Sequence, residues 1–157
     1  MRMKRQQGGF TLIELIMVIV ILGILAAFAL PRFANLGGDA RRATIQGVEA
    51  SMKSASAIVH SAFLARGGTA ATTTVAVEGA DIAVTNGYPS SSAAGIEAAA
   101  QISNTEFTVT HTATTTTVQA IGATTAASCQ VVYTAATSTG TPPVVTPPGI
   151  TATTDGC

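Results

Sequence analysis

From Leu15 to Leu30 the chain carries sixteen consecutive uncharged residues, and the apolar character reaches back to Phe10. A segment apolar on every face from Phe10 to Leu30 predicts a helix about 31 Å long at ~1.5 Å per residue, the thickness of a bilayer's hydrocarbon core. Gly23 inside the segment and Pro31 just beyond it are expected to interrupt that helix, Gly through backbone entropy and Pro through a lost hydrogen bond. After Pro31 the pattern becomes periodic. Ile45, Val48, Met52, Ala55, Val59 and Ala62 recur in alternating steps of three and four, with Arg42, Gln46, Glu49 and Lys53 between them. That spacing predicts one apolar stripe on an amphipathic helix. Asp39, after Gly37-Gly38, reads as its N-cap or first-turn residue, with a break in the helix at the two glycines. Arg66-Gly67-Gly68 reads as its end, with a cation in the last turn and a glycine cap.

From Thr69 the period shortens to two. Thr72–Glu78 and Asp81–Thr85 alternate around Gly79 and predict a hairpin. Asn86-Gly87-Tyr88-Pro89 reads as a turn and Ser92–Gln101 as a short Ala-rich helix. Glu106–Thr112, Thr115–Ile121 and Cys129–Thr134 read as strands. The tail, TSTGTPPVVTPPGITATTDGC, holds two Pro-Pro pairs and reads as extended loop rather than central sheet.

Composition limits what this head can bury. Charged residues are 10% of the 157, aromatics 4%, and Trp is absent, so much of the apolar content is small Ala. Such a region needs backbone hydrogen bonding, a staple or neighbouring subunits. The formal charge is zero, but Arg2, Lys4 and Arg5 concentrate basic charge at the start. Without residues 1–9, five basic residues would face eight acidic ones. No basic patch outside the start suggests a nucleic-acid groove, so no nucleic acid is expected as a partner. His60 on the amphipathic helix and His111 on a strand read as structural. With two His, no Gly-x-Ser-x-Gly, no phosphate loop and no carboxylate dyad, no enzyme, catalytic residue, cofactor or metal site is expected.

Cys129 and Cys157 are the two cysteines, 28 positions apart. That is not a metal-ligand spacing, and no His lies near either. In the cytosol they would be unrelated thiols; in an exported head they would pair and pin the tail. By loop-closure entropy such a ring would contribute at most roughly 3.5 kcal/mol.

The beginning of the chain has two bland readings. One is a secretory signal peptide, cut before Leu30 at the small-x-small site Ala27-Phe28-Ala29. Against it stand the length of the apolar run, Glu14 near its start and Gly8-Gly9 just before it. The other is a plain membrane anchor, which explains the length but not the glutamate. A carboxylate in hydrocarbon is costly and is usually kept because it finds a partner. No Lys or Arg lies close along the helix, so an internal partner is missing. Cleavage after Gly9 would supply one. It would create an α-amine on Phe10, largely cationic at neutral pH with a pKa of about 7.7–8.0. In a bundle of helices, that amine and the Glu14 of a neighbouring subunit would neutralise one another. Glu14 then reads as an intermolecular register device.

Gly8-Gly9 followed by Phe10-Thr11-Leu12-Ile13-Glu14-Leu15 closely resembles the processing site of type IV prepilins and pseudopilins. The resemblance covers roughly residues 1–66. It implies that a prepilin peptidase cuts after Gly9 and methylates the amine of Phe10, and that Glu14 docks each subunit into a growing filament. Gly23 and Pro31 fall where the family's helix is interrupted. The late cysteines resemble the disulfide-bounded C-terminal region of type IV pilins. Secretion pseudopilins typically lack that clasp and carry a calcium site, toward which this tail offers only Asp155. Gly87-Tyr88-Pro89, the Ala/Gly-rich segment to Ile96, Cys129-Gln-Val-Val-Tyr133, the leader GGFTLIEL and Pro31-Arg32-Phe33 are further similar to the mannose-sensitive haemagglutinin pilins.

The resulting expectation is an α+β pilin fold, a long N-terminal helix packed on a small antiparallel β-sheet. Residues 1–9 would form the leader and 10–66 the helix, with 10–30 as membrane span and filament core and 31–66 amphipathic. Residues 67–157 would form a β-rich head closed by Cys129–Cys157. The basic start would stay in the cytoplasm and the head cross to the periplasm, then to the cell surface in a pilus. The expected partners are further copies of the chain in a helical filament, the prepilin peptidase, an assembly motor with its inner-membrane platform, and the inner membrane before assembly. The rival expectations are a minor pilin or type II secretion pseudopilin, and a signal-peptide-cleaved binding module.

Overall fold

The computed structural model describes residues 9–34 and 36–157, without the side chains of residues 30–35. The basic start, Arg2, Lys4 and Arg5, and with it Gly8, lies outside the described residues.

The chain divides into two units, residues 1–37 and 38–157. The first is dominated by helix α1, Leu12–Ala34. Leu12–Ala29 is long and apolar enough to cross a membrane, and none of it is buried within the chain. Contrary to the expected interruptions, α1 runs through both Gly23 and Pro31 before ending at Ala34. A proline removes one backbone donor and a glycine adds backbone entropy, and neither loss cancels the helical preference of the surrounding Ile, Leu and Ala.

Helix α2, Leu36–Ala65, supplies the spine of the second unit. Gly37-Gly38 lie within it instead of breaking it, and Asp39 sits in its first turn, where a carboxylate favours the positive end of the helix. Its buried stripe is Ile45, Val48, Met52, Ala55, Ser56, Val59 and Phe63. The expected positions lie on that face, with Ala62 half-buried against the core, and Ser56 and Phe63 are buried beside them. At the end of α2, Gly67 takes a left-handed φ of +67°. The amides of Gly67 and Gly68 donate to the carbonyls of Leu64 and Phe63, both at 3.0 Å, closing the helix in a Schellman motif.

The strands after α2 form three antiparallel sheets rather than one. β1, Thr74–Val77, and β2, Ala80–Thr85, make the expected hairpin, and β3, Tyr88–Pro89, pairs back onto β2. Only Asn86-Gly87 forms that turn, both with positive φ as a tight hairpin demands; Tyr88 and Pro89 belong to the strand. The Ala-rich segment reduces to a short helical stretch at Ala93–Glu97, broken by non-helical dihedrals at Gly95.

The second sheet runs in the order β4 Phe107–His111, β5 Thr115–Ala120, β6 Gln130–Thr134, β9 Gly149–Thr153. The tail is therefore not all loop. Its prolines leave β9 free to serve as an edge strand of this sheet, while β7 Thr137–Thr139 and β8 Val144–Thr146 form a separate hairpin.

The α2 stripe serves both larger sheets. Ile45, Val48 and Met52 join Ile96, Phe107, Val118, Val131 and Tyr133 in one core cluster, against the four-stranded sheet. Val59 and Phe63 join Val75, Ile82 and Val84 in a second, against the three-stranded sheet. A disulfide joins Cys129, just before β6, to Cys157, beyond β9. It ties the neighbouring strands β6 and β9 at one end.

Candidate processing and assembly site

Helix α1 begins abruptly because its first residues form a capping box. Thr11, the N-cap, donates through its backbone amide to Glu14 Oε2 at 2.8 Å and through its hydroxyl to the same oxygen at 2.7 Å. The Glu14 amide returns a bond to Thr11 Oγ1 at 3.3 Å. Two otherwise orphaned amides at the helix start are satisfied reciprocally, and the carboxylate lies at the positive end of the helix dipole.

This corrects the inference that Glu14 has no internal partner. Its partner is Thr11, a hydroxyl and an amide rather than a cation. The spacing T-x-x-E immediately before an apolar run carried that signal, since it is the sequence form of a capping box. Among the described residues Glu14 Oε1 takes no hydrogen bond, so half of the carboxylate remains available.

The Gly9–Phe10 bond lies just upstream of this cap, outside any helix, and the Phe10 side chain is 95% exposed. A Cβ built on Gly9 would meet nothing within 4 Å. Among the described residues no neighbour demands glycine there. At Gly23, too, a Cβ would meet nothing within 4 Å. No clash within the described chain requires that glycine. Pro31 lies in the last part of α1, Leu12–Ala34.

The other polar clusters are structural. His60 gives its Nδ1 proton to the Gly87 carbonyl at 2.9 Å and stacks on Tyr88 with ring centroids 4.0 Å apart. His111 bridges Glu97 through Nε2 at 2.7 Å and Thr116 through Nδ1 at 3.1 Å, while Asn104 donates to the other Glu97 oxygen at 2.7 Å. That network ties the helical segment to the β4–β5 hairpin. Among the described residues no three His, Cys, Asp or Glu converge to hold a metal ion.

With this geometry in view, the family described as "Prokaryotic N-terminal methylation motif" matches residues 4–30. The chain is 54% identical over 50 residues to the type IV narrow pilus major component PilA5 of Thermus thermophilus, covering 32% of this chain and 43% of that one. It is 61% identical over 33 residues to the type IV major fimbrial protein FimA of Dichelobacter nodosus, covering 21% of each. It is also 48% identical over 44 residues to the type II secretion system core protein G of Pseudomonas aeruginosa, covering 28% and 31%. The chain thus spans less than half the length of these relatives. No solved structure matches it.

Proposed function

On the premise that this chain is a homologue of the type IV pilins, we propose that it is the major structural subunit of a type IV pilus resembling the mannose-sensitive haemagglutinin kind. In this account residues 1–9 are a leader, cut after Gly9, and Phe10 carries the methylated amine. Residues 10–30 span the inner membrane and later form the filament core, residues 31–66 join core to head, and residues 67–157 are carried to the surface. A prepilin peptidase, an assembly motor and its membrane platform act on the chain; no chemistry is done by the chain itself.

The observation that carries the reading is the Thr11–Glu14 capping box set next to an exposed, non-helical Gly9–Phe10 bond. Cleavage there spares the Thr11 amide, so the cap survives processing. The free Oε1 of Glu14 can then meet the Phe10 amine of a neighbouring subunit, while Oε2 stays with Thr11. One carboxylate both starts the helix and fixes the axial register between subunits. Moving α1 from lipid into a bundle of sister helices exchanges one apolar setting for another, so hydrophobic transfer does little to choose the register. A polar pair in a low dielectric does choose it. Repeating one heterologous contact gives an open helical filament.

In this reading the leader stays in the cytoplasm and the head crosses the membrane; the basic start supports that orientation, and the Cys129–Cys157 disulfide fits an oxidising compartment. A secretion pseudopilin is the second reading, favoured by the likeness to core protein G. Measuring the chain's share of protein in sheared surface fractions, for wild type and Glu14→Val, separates the two. A major pilin dominates the wild-type fraction and all but vanishes from it in the variant, while membrane levels are unchanged. Normal surface abundance in Glu14→Val contradicts the register role, and a chain scarce in both fractions favours the pseudopilin.

A further inference from the structure

We propose that Asn86 is a site of intramolecular deamidation, an irreversible modification that cuts a tie between the β2–β3 turn and the chain just beyond β6. The turn itself demands the reactive pair. Position 86 takes a left-handed φ of +53°, which Asn tolerates better than most residues, and position 87 takes +82°. Gly87 is fixed a second time by space, since a Cβ there would meet the Phe63 ring at 2.8 Å. The fold therefore places, directly after an asparagine, the residue that shields its own amide least. Among the described residues the Gly87 amide donates no hydrogen bond. A carboxamide and an uncommitted backbone nitrogen stand side by side.

One hydrogen bond restrains them. Asn86 Nδ2 donates to the carbonyl of the buried Ala136 at 3.0 Å. While that bond stands, the carboxamide is held toward Ala136. Attack requires it to swing onto the Gly87 nitrogen, so the reactive state is a local opening of the tie rather than unfolding of the head. Asn104 is the internal comparison. It is followed by β-branched Thr105, whose amide is engaged by Ser103 Oγ at 3.3 Å, and its own Nδ2 donates to Glu97 at 2.7 Å.

In the first step the Gly87 nitrogen gives its proton to a solvent base and bonds to Asn86 Cγ. The Cγ–Nδ2 bond breaks, and that nitrogen leaves as ammonia with a proton taken from water. Water then adds to one carbonyl of the cyclic imide and opens it, leaving either aspartate or isoaspartate. The sum consumes one water and releases one ammonia. Neither product keeps the tie, because a carboxylate has no proton for the Ala136 carbonyl. No Lys or Arg occurs from residue 67 to 157, so none there pairs with the new charge. Isoaspartate also lengthens the backbone within a two-residue turn whose flanks are in fixed register, Thr85 opposite Tyr88 and Val84 opposite Pro89. That shift would draw the Gly87 carbonyl from His60 Nδ1 and Tyr88 from the His60 ring.

The test holds the full-length chain, purified in detergent with its disulfide intact, for days at mildly alkaline pH. Pepsin then cuts it, since the head offers trypsin no Lys or Arg, and electron-transfer fragmentation locates any change. The predicted result is the mass gain of one amide-to-acid exchange at Asn86, with isoaspartate in excess and ammonia released in step, while Asn104 keeps its amide. An Asn86 that stays unmodified while a synthetic peptide of residues 84–89 converts, or an Asn104 that converts as fast, overturns the proposal. Asn86→Asp carries the charged product without the chemistry, and its urea midpoint should fall below that of the wild-type chain. A midpoint equal to wild type would overturn the claim that the modification cuts a tie.

Discussion

Tyr133, wholly buried in β6, donates its phenol to the carbonyl of Pro89 in β3 at 2.6 Å. That bond joins the four-stranded sheet to the three-stranded one, beside a second tie in which Asn86 Nδ2, in the β2–β3 turn, donates to the Ala136 carbonyl at 3.0 Å. Burial also pushes the phenol's pKa well above its ordinary 10.0.

Removing the hydroxyl with Tyr133→Phe leaves a buried Pro89 carbonyl without its partner. The expected cost is about 1–3 kcal/mol, read as a lower urea midpoint at unchanged slope. An unchanged midpoint would show that the two sheets do not depend on this bond.

The pH dependence follows from the same group. The unfolded phenol ionises near 10.0 while the folded one holds its proton. The unfolded state therefore binds fewer protons above that pH, and stability falls as pH rises through and beyond 10. The stability contributed by Tyr133 is fully present below that point. The fall between pH 9 and 11 should be shallower in Tyr133→Phe than in the wild-type chain.

The Cys129–Cys157 disulfide closes a loop with a sequence separation of 28. Replacing both cysteines with Ala should cost up to roughly 3.5 kcal/mol, since the unfolded chain regains the closed loop's freedom. The first losses in hydrogen-exchange protection should appear in β9, the edge strand whose end the disulfide holds to β6.

Gly95 is set by space rather than by the short helix around it. A Cβ there would collide with the carbonyl of Ser90, which accepts the Ile96 amide at 2.9 Å and cannot withdraw without losing it. Gly95→Ala should therefore destabilise the head by about 1–3 kcal/mol, as overpacking does. Thermal unfolding of the oxidised chain measures it.

Gly9→Val makes the opposite kind of variant. No atom of the described chain lies where its side chain would go, so head stability should be unchanged while precursor accumulates uncut in the membrane. Normal processing would show that the small residue before the cut does not matter.

What could be read along the chain was whatever local spacing decides. The stripe from Ile45 to Ala62 is written in steps of three and four, and the spacing passed over Ser56 and the bulky Phe63, which reaches the β2 side of the core. The hairpin around Gly79 was visible in its alternation. The β9 strand was hidden by Pro142, Pro143, Pro147 and Pro148, which forbid a central strand and permit one that begins right after them at an edge. Tyr88-Pro89 was hidden in the same way by its turn residues. The Thr11–Glu14 cap was legible, but a search for a cation passes over a hydroxyl. The Glu97–His111 and Tyr133–Pro89 bonds join segments 14 and 44 positions apart, and no local pattern encodes them.

The most direct test of the central claim is the mass of the N-terminal peptide of the chain recovered from sheared surface material. The account predicts a peptide that begins at Phe10 and is heavier by one methyl group. A peptide that begins at Leu30, with Glu14 discarded, would contradict it.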